Sequence, residues 1–200
     1  MIIFKKQNTS KPIKKYKTFY DQALKKNQKN IEAISVSSYN LSNQEISSRF
    51  VNIKYVEKGN FIFFTNFESP KATDFLTHSQ VSLNSFWQST NVQIRIKGNI
   101  KKLDDGLSDN HFKKRSFKKN ILAISSNQSK TIDSYNGVIK KYESTMESSK
   151  NIDIVRPKYW GGFEIIPYFY EFWIGHPNRL NERVIYMLKD NEWRDEILEP

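Results

Sequence analysis

The chain has 200 residues, no cysteine, three histidines, a formal charge of +11 and 38% apolar residues. That length and apolar content suit one sizeable core, and the absence of thiols excludes a disulfide framework, a cysteine nucleophile and Cys-ligated zinc or iron–sulfur centres. The N-terminal MIIFKKQNTSKPIKKYK is too sparsely apolar for a signal-peptide core and no run of about eighteen apolar residues occurs, so a soluble cytoplasmic protein with no membrane partner is expected.

Ser10-Lys11-Pro12 opens a stretch in which Ile13, Tyr16, Phe19, Tyr20, Ala23 and Leu24 recur at helical spacing, which predicts an amphipathic helix over 12–26. Short runs rich in β-branched and aromatic residues follow at 33–39, 48–56, 60–66, 80–87 and 91–103, separated by polar turns, as in one antiparallel sheet or barrel. EKGN (57–60) marks a hairpin turn. Between the runs at 60–66 and 80–87, Ser69 is placed to cap a helix, Pro70 suits its first turn, and Ala72, Phe75 and Leu76 supply its apolar face. Further helices are predicted around 108–118 and 131–147, the second carrying Ile132, Tyr135, Ile139, Tyr142 and Met146 at helical spacing. Strands return in WGGFEIIPYFYEFW and RVIYMLKDNEWRDEIL, with KDNE (189–192) as the turn of a terminal hairpin. The expected class is mainly β (α+β): an antiparallel β-barrel with flanking helices, residues 1–11 forming a short arm and 12–200 one domain.

No P-loop, GxGxxG, HExxH or GxSxG is present, and His78, His111 and His176 stand far apart, so no metal site and no serine-hydrolase chemistry is expected. The basic residues are spread along the chain, KKRSFKK (113–119) being the densest run; they read as solvated faces, not as a nucleic-acid footprint, and also suit small phosphorylated ligands. Candidate polar groups on or beside strands are Arg49, Lys54, Lys71, Gln93, Gln128 and Ser129. The SPK stretch at 69–71 reads either as an anion site at a helix start or as a cap alone. In EFWIGHPNRLNERVIY (171–186), Arg179 and Arg183 stand four apart in a largely apolar setting beside Trp173.

Five separated motifs, covering about Pro12 to Pro200, resemble the pyridoxamine 5'-phosphate oxidase family of FMN-dependent oxidases. RFVNIK (49–54) is similar to the family's Arg-(Ile/Val)-Val-Leu-Leu-Lys strand, and FFTNFESPKA (63–72) to its Phe-Tyr-Thr-Asn-x-x-Ser-Arg-Lys-Ala segment. QIRIKG (93–98) resembles its central Gln strand, YWGGFEIIP (159–167) its Trp-Gly-Gly strand, and 171–186 its C-terminal Glu-Phe-Trp-Gln-Gly-x-x-x-Arg-Leu-His-Asp-Arg signature. The resemblance implies an FMN-binding split β-barrel with a C-terminal dimerisation region, forming a homodimer with FMN at the interface. It further implies that Arg49 and Lys71 hold the FMN phosphate with Thr65 and Ser69, and that Phe50, Val51, Lys54, Phe64, Gln93, Gln128, Ser129, Trp173 and Arg183 complete the cofactor site. Lys54, Arg115 and Arg179 would then address the substrate, Arg179 over its pyridine ring, so that the arginines of 171–186 pair with bound anionic or π-rich groups. The implied reaction oxidises pyridoxamine 5'-phosphate or pyridoxine 5'-phosphate to pyridoxal 5'-phosphate by hydride transfer to the flavin, with dioxygen reduced to peroxide.

Some positions depart from the pattern. Pro70 replaces the second arginine of Ser-Arg-Lys, His111 and Lys119 stand where the family's phosphate clamp has tyrosine and serine, and Asn181 replaces the histidine of Arg-Leu-His. Arg179 and Asn181 are the expected catalytic pair, and His111, Arg115 and Lys119 the expected phosphate clamp. The alternatives are a split-barrel FMN oxidase acting on another substrate, as in phenazine pathways, or a non-catalytic binder of flavin or pyridoxal phosphate.

Overall fold

Burial alternates along QVSLNSFW, where Val81, Leu83, Ser85 and Trp87 are buried and their neighbours, Phe86 included, turn outward, the period of two that a half-buried strand requires. The computed structural model describes residues 1–6, 9–150 and 152–200. These fall into two units, the first comprising Met1–Phe63, Asp74–Lys101 and Glu164–Pro200 and the second Phe64–Thr73 and Lys102–Phe163. In chain order the elements are β1 (Ile3–Lys5), α1 (Lys11–Lys25), β2 (Ala33–Asn40), β3 (Glu45–Asn52), β4 (Tyr55–Glu57), β5 (Asn60–Asn66), α2 (Pro70–Thr77), β6 (Gln80–Trp87), β7 (Val92–Lys102), α3 (Asp105–Lys114), α4 (Phe117–Ser125), α5 (Tyr135–Ser148), β8 (Trp160–Ile174), β9 (Glu182–Lys189) and β10 (Glu192–Leu198).

The first unit carries the sheet, in the order β1-β4-β5-β8-β7-β6-β2-β3, with β9 added to β8 and β10 to β9. Its core is drawn from the inward positions of the central strands, Ile34, Val36, Leu83, Ile94 and Ile96 among them. Helix α1 lies on that core through Ile13, Tyr16, Tyr20 and Ala23. The Tyr16 ring meets Phe61 edge-on at 5.0 Å and Trp87 at 5.6 Å, and each such buried ring contributes about 1.5–3 kcal/mol by leaving water.

The strand expected over 48–56 is two strands. β3 pairs with β2, whereas β4 pairs with β5, and the chain changes partner between them: Ile53 N–H donates to Glu32 O (2.9 Å) and Lys54 N–H to Ile62 O (2.8 Å). The sheet is also not wholly antiparallel, because β1, from the segment expected as an arm, runs parallel to β4 with Ile3 beside Tyr55. At three residues it is too short to show a period.

In the second unit the helix expected around 108–118 is likewise two, α3 and α4. Arg115 and Ser116 take extended backbone (ψ 152° and 145°) between them, and the Asn120 side chain donates to Phe112 O (3.0 Å) across the break. Two apolar faces differ from expectation, that of α2 at one residue and that of α5 throughout. Leu76 of α2 stands 67% exposed while Ala72 and Phe75 are buried, and Ile132, Tyr135 and Ile139 are exposed, α5 burying none of its residues. The glycine pair at the start of β8 is a packing requirement: a Cβ on Gly161 would come within 2.6 Å of the Phe67 ring, and one on Gly162 within 2.7 Å of the Leu103 side chain.

Candidate active site

In the second unit, the end of β5, helix α4 and the loop after it surround a cavity of about 290 Å³, whose walls include Phe64, Thr65, Asn66, Arg115, Lys119, Gln128 and Trp160. The Arg115 guanidinium lies over the Trp160 ring, 4.5 Å from its centroid. Burial pushes the Arg115 pKa down from its ordinary value, yet that value is so high that the side chain stays charged. His111 stands behind the wall, stacked on Phe64 at 3.7 Å, and Phe64 is nearly parallel to Trp160 at 5.5 Å. The cavity thus has an aromatic wall and two cations, Arg115 and Lys119.

At the start of α2, Lys71 Nζ donates to Ser69 Oγ (3.0 Å), and the Ser69 hydroxyl donates to Asn66 O (2.7 Å). Both side chains are buried. Ser69 therefore starts the helix through its carbonyl, which accepts from the Ala72 and Thr73 N–H groups, while its hydroxyl engages the lysine. The Thr65 hydroxyl (3.4 Å) and the Asn66 N–H (3.3 Å) both donate to the Gln128 amide oxygen. Ser129, next in chain, holds a left-handed backbone with φ 67°. The second unit accordingly brings together Phe64, Thr65, Ser69, Lys71 and Gln128, and gathers Arg115 and Lys119 at its cavity.

The first unit places the remaining expected residues. Arg49, Phe50 and Val51 lie on β3, and strand alternation sends the first two to opposite faces: Arg49 donates to Ser38 Oγ (2.6 Å) and to buried Asp74 (3.3 Å), whereas Phe50 is 76% exposed. Lys54 sits in the link between β3 and β4. Gln93 on β7 donates to Asn84 Oδ1 (3.0 Å). Trp173 on β8 and Arg183 on β9 are directly opposite in the ladder. Between these strands a tight loop carries Arg179, with φ 61° and its N–H on His176 O (3.0 Å), and Asn181, whose Oδ1 accepts from the His176 N–H (3.0 Å). Asn181 thus uses its oxygen to close the loop that presents Arg179.

Two features were not read from the sequence. Trp160 forms a wall of the cavity, although the Trp-Gly-Gly motif had marked its strand. More consequentially, Arg183 does not wait for a ligand to balance its charge: its Nε and Nη2 donate to buried Glu171 Oε1 (3.0 and 2.8 Å), and Arg95 Nη1 donates to the other carboxylate oxygen (2.6 Å). A glutamate set between Tyr170 and Phe172 in an apolar stretch of β8 was the available signal.

An FMN-binding fold with a cationic, aromatic-walled cavity is the class that these features define, and comparison with known proteins places the chain within it. The family model described as "Pyridoxamine 5'-phosphate oxidase" matches residues 21–145, and the one described as "Pyridoxine 5'-phosphate oxidase C-terminal dimerisation region" matches residues 160–200. The pyridoxine/pyridoxamine 5'-phosphate oxidase of Legionella pneumophila (strain Lens) is 36% identical, over 94% of this chain and 87% of that protein. That of Coxiella burnetii (strain RSA 493 / Nine Mile phase I) is 31% identical, over 96% and 97%. The fold is shared with PhzG from Burkholderia lata 383, solved in complex with tetrahydrophenazine-1-carboxylic acid, at a TM-score of 0.89 and 24% identity over 96% of this chain and 93% of that one. The chain belongs to the pyridoxamine 5'-phosphate oxidase family, and its cofactor is FMN.

The donor set fits that cofactor. A buried ammonium with a serine hydroxyl at a helix start offers what a phosphate monoester needs, and the Gln128 amide in the same unit matches the carbonyl and N–H edge of a flavin ring. Among the described residues no group of three or more His, Asp or Glu is placed to hold a metal ion, and no helix is long and apolar enough to cross a membrane.

Proposed function

We propose that the protein oxidises pyridoxamine 5'-phosphate or pyridoxine 5'-phosphate to pyridoxal 5'-phosphate, as a homodimer with FMN at its interface. The observation that carries this reading is the cavity of about 290 Å³, in which Arg115 is spread on Trp160 with Lys119 also in the wall. An aromatic wall suits a pyridine ring, and a cation pair that no described carboxylate offsets suits its phosphate.

FMN, when bound, supplies a two-electron acceptor that dioxygen can reoxidise with release of peroxide. The chain's own part is binding and orientation. Lys71, Ser69 and Thr65 take the FMN phosphate, Arg49 assists through N–H groups beyond those given to Ser38 and Asp74, and Phe50, Val51, Lys54, Phe64, Gln93, Gln128, Ser129, Trp173 and Arg183 complete the flavin site. Arg115 and Lys119 grip the substrate phosphate with Lys54, and His111 keeps Phe64 in place as the ring wall. Arg179, offered by a loop that Asn181 closes, covers the pyridine ring. A phosphate grip remote from the reacting carbon converts binding energy into orientation, so its loss lowers turnover as well as affinity.

The test is anaerobic mixing of FMN-loaded protein with each phosphorylated vitamer while flavin absorbance is followed. Bleaching, then recovery on admitting air with pyridoxal 5'-phosphate formed, is the expected result. Flavin that stays bound and never bleaches would overturn the substrate while leaving the cofactor.

A further inference from the structure

Of the two glutamates on β8, Glu164 is half-buried, whereas Glu171 is flanked by fully buried Tyr170 and Phe172 and is itself only 4% exposed. A carboxylate is tolerated there only if it is paired and hydrogen-bonded. Its pairing is unusually complete: Arg183 from β9 grips Oε1 through both Nε and Nη2, and Arg95 from β7 takes Oε2. The remaining Arg183 nitrogen, Nη1, donates to Glu199 O at 2.9 Å. An arginine alone on a strand samples many rotamers, but a two-point grip fixes the plane of the guanidinium as well as its position. That plane lies beside the Trp173 position, since Trp173 faces Arg183 across the ladder and shares a strand face with Glu171. Two guanidiniums against one carboxylate also leave one positive charge over, which favours an electron-rich ligand.

We infer that Glu171 is a positioning residue for the cofactor: it locks Arg183 in the orientation that meets the flavin and, through Arg95, ties the β8–β9 pair to the strand that carries Gln93. This rests on the reading that Arg183 contacts FMN. Loss of Glu171 leaves Arg183 present but unaimed, so the flavin site weakens although no residue that touches the flavin has changed.

The experiment titrates FMN into the full-length apoprotein and follows quenching of flavin fluorescence, with a thermal melt of each variant alongside. Glu171→Gln, which keeps the shape and removes the charge, is expected to weaken FMN binding about tenfold. Arg183→Ala should weaken it at least as much, and the double variant should be no worse than Arg183→Ala alone, because both changes remove the same aimed group. Additive losses would mean that Glu171 acts only through general stability and would overturn the inference. Glu171→Gln that folds and binds FMN as the parent does, while Arg183→Ala does not, would overturn it too. Arg183→Ala with unchanged FMN affinity would instead sink the reading of Arg183 itself. Should Glu171→Gln fail to fold, Arg183→Lys decides: it keeps the charge but cannot make the two-point grip, so it should bind FMN nearly as poorly as Arg183→Ala, and parent-like binding would overturn the inference.

Discussion

In the first unit, Arg95 and Arg183 share one buried carboxylate, whereas in the second unit Arg115 rests on the Trp160 face and no carboxylate pairs with it among the described residues. The first arrangement surrenders much of the positive charge in exchange for a fixed direction. The second keeps the charge and accepts the desolvation that depresses the Arg115 pKa. An aimed, partly neutralised guanidinium suits the polar edge of a ring such as a flavin; an unneutralised one suits a phosphate, where charge matters more than angle. Lys71, also in the second unit, is a buried ammonium that donates to the Ser69 hydroxyl.

The largest effect should come from Lys71. Replacing it by alanine is expected to weaken FMN binding by roughly two orders of magnitude, about the worth of one buried charge-assisted contact to phosphate, measured by the same fluorescence titration. A loss below about threefold would place the phosphate elsewhere and remove Lys71 from the comparison.

Arg115→Ala comes next, and it separates the two regions most directly. KM for the phosphorylated substrate should rise about thirtyfold with FMN affinity unchanged, whereas Arg115→Lys, which keeps the charge but not the flat contact with Trp160, should recover part of the loss. Equal loss of substrate and flavin binding would show that the division of roles between the two arginine settings is false.

Arg179→Ala should lower kcat about tenfold and leave FMN binding intact, since its loop is braced by backbone and by Asn181, not by the flavin contacts. Release of flavin by this variant would merge the loop with the cofactor site.

The sequence made some of this legible and hid the rest for physical reasons. Strands 60–66 and 80–87 were readable to the residue, the first as a short β-branched and aromatic run between polar turns and the second because one buried face imposes its period on the side chains. The division at Ile53 and Lys54 was not, because a change of partner strand leaves an apolar run unbroken. Nor was the break at Arg115–Ser116, where a basic run reads as a continuous helix face. Ser69 and Lys71, bonded two residues apart, were visible as an anion site or cap at a helix start, but Thr65 and Gln128 could join them only through the family resemblance, because the bond between those two is tertiary. Glu171 showed in the sequence only as a carboxylate in an apolar stretch, not as a partner: Arg95 lies 76 residues away, and Arg183 looked like a group in need of a ligand because the residue that balances it sits on the neighbouring strand.

The smallest effect is expected where a cation and a carboxylate pair in full solvent. Lys11 Nζ lies 2.8 Å from Asp195, and the hydrogen bond between them raises the Lys11 pKa and lowers that of Asp195. The signs follow from linkage: the Asp195 contribution is present above the unfolded carboxyl pKa and fades as pH falls through the lowered folded value, while that of Lys11 is present below the unfolded lysine pKa and fades as pH rises through the raised one. Near neutrality both are in place, so Lys11→Ala tests the pair at full strength. No measurable change in melting temperature is expected, because water and counter-ions screen the attraction and ordering two long side chains opposes it. Glu171 and Arg183 are joined by the same chemistry at similar distances, so a flat result for Lys11 beside a large one for Glu171 would identify burial, not pairing, as what lets a carboxylate aim an arginine. A drop of several degrees for Lys11→Ala would remove that distinction.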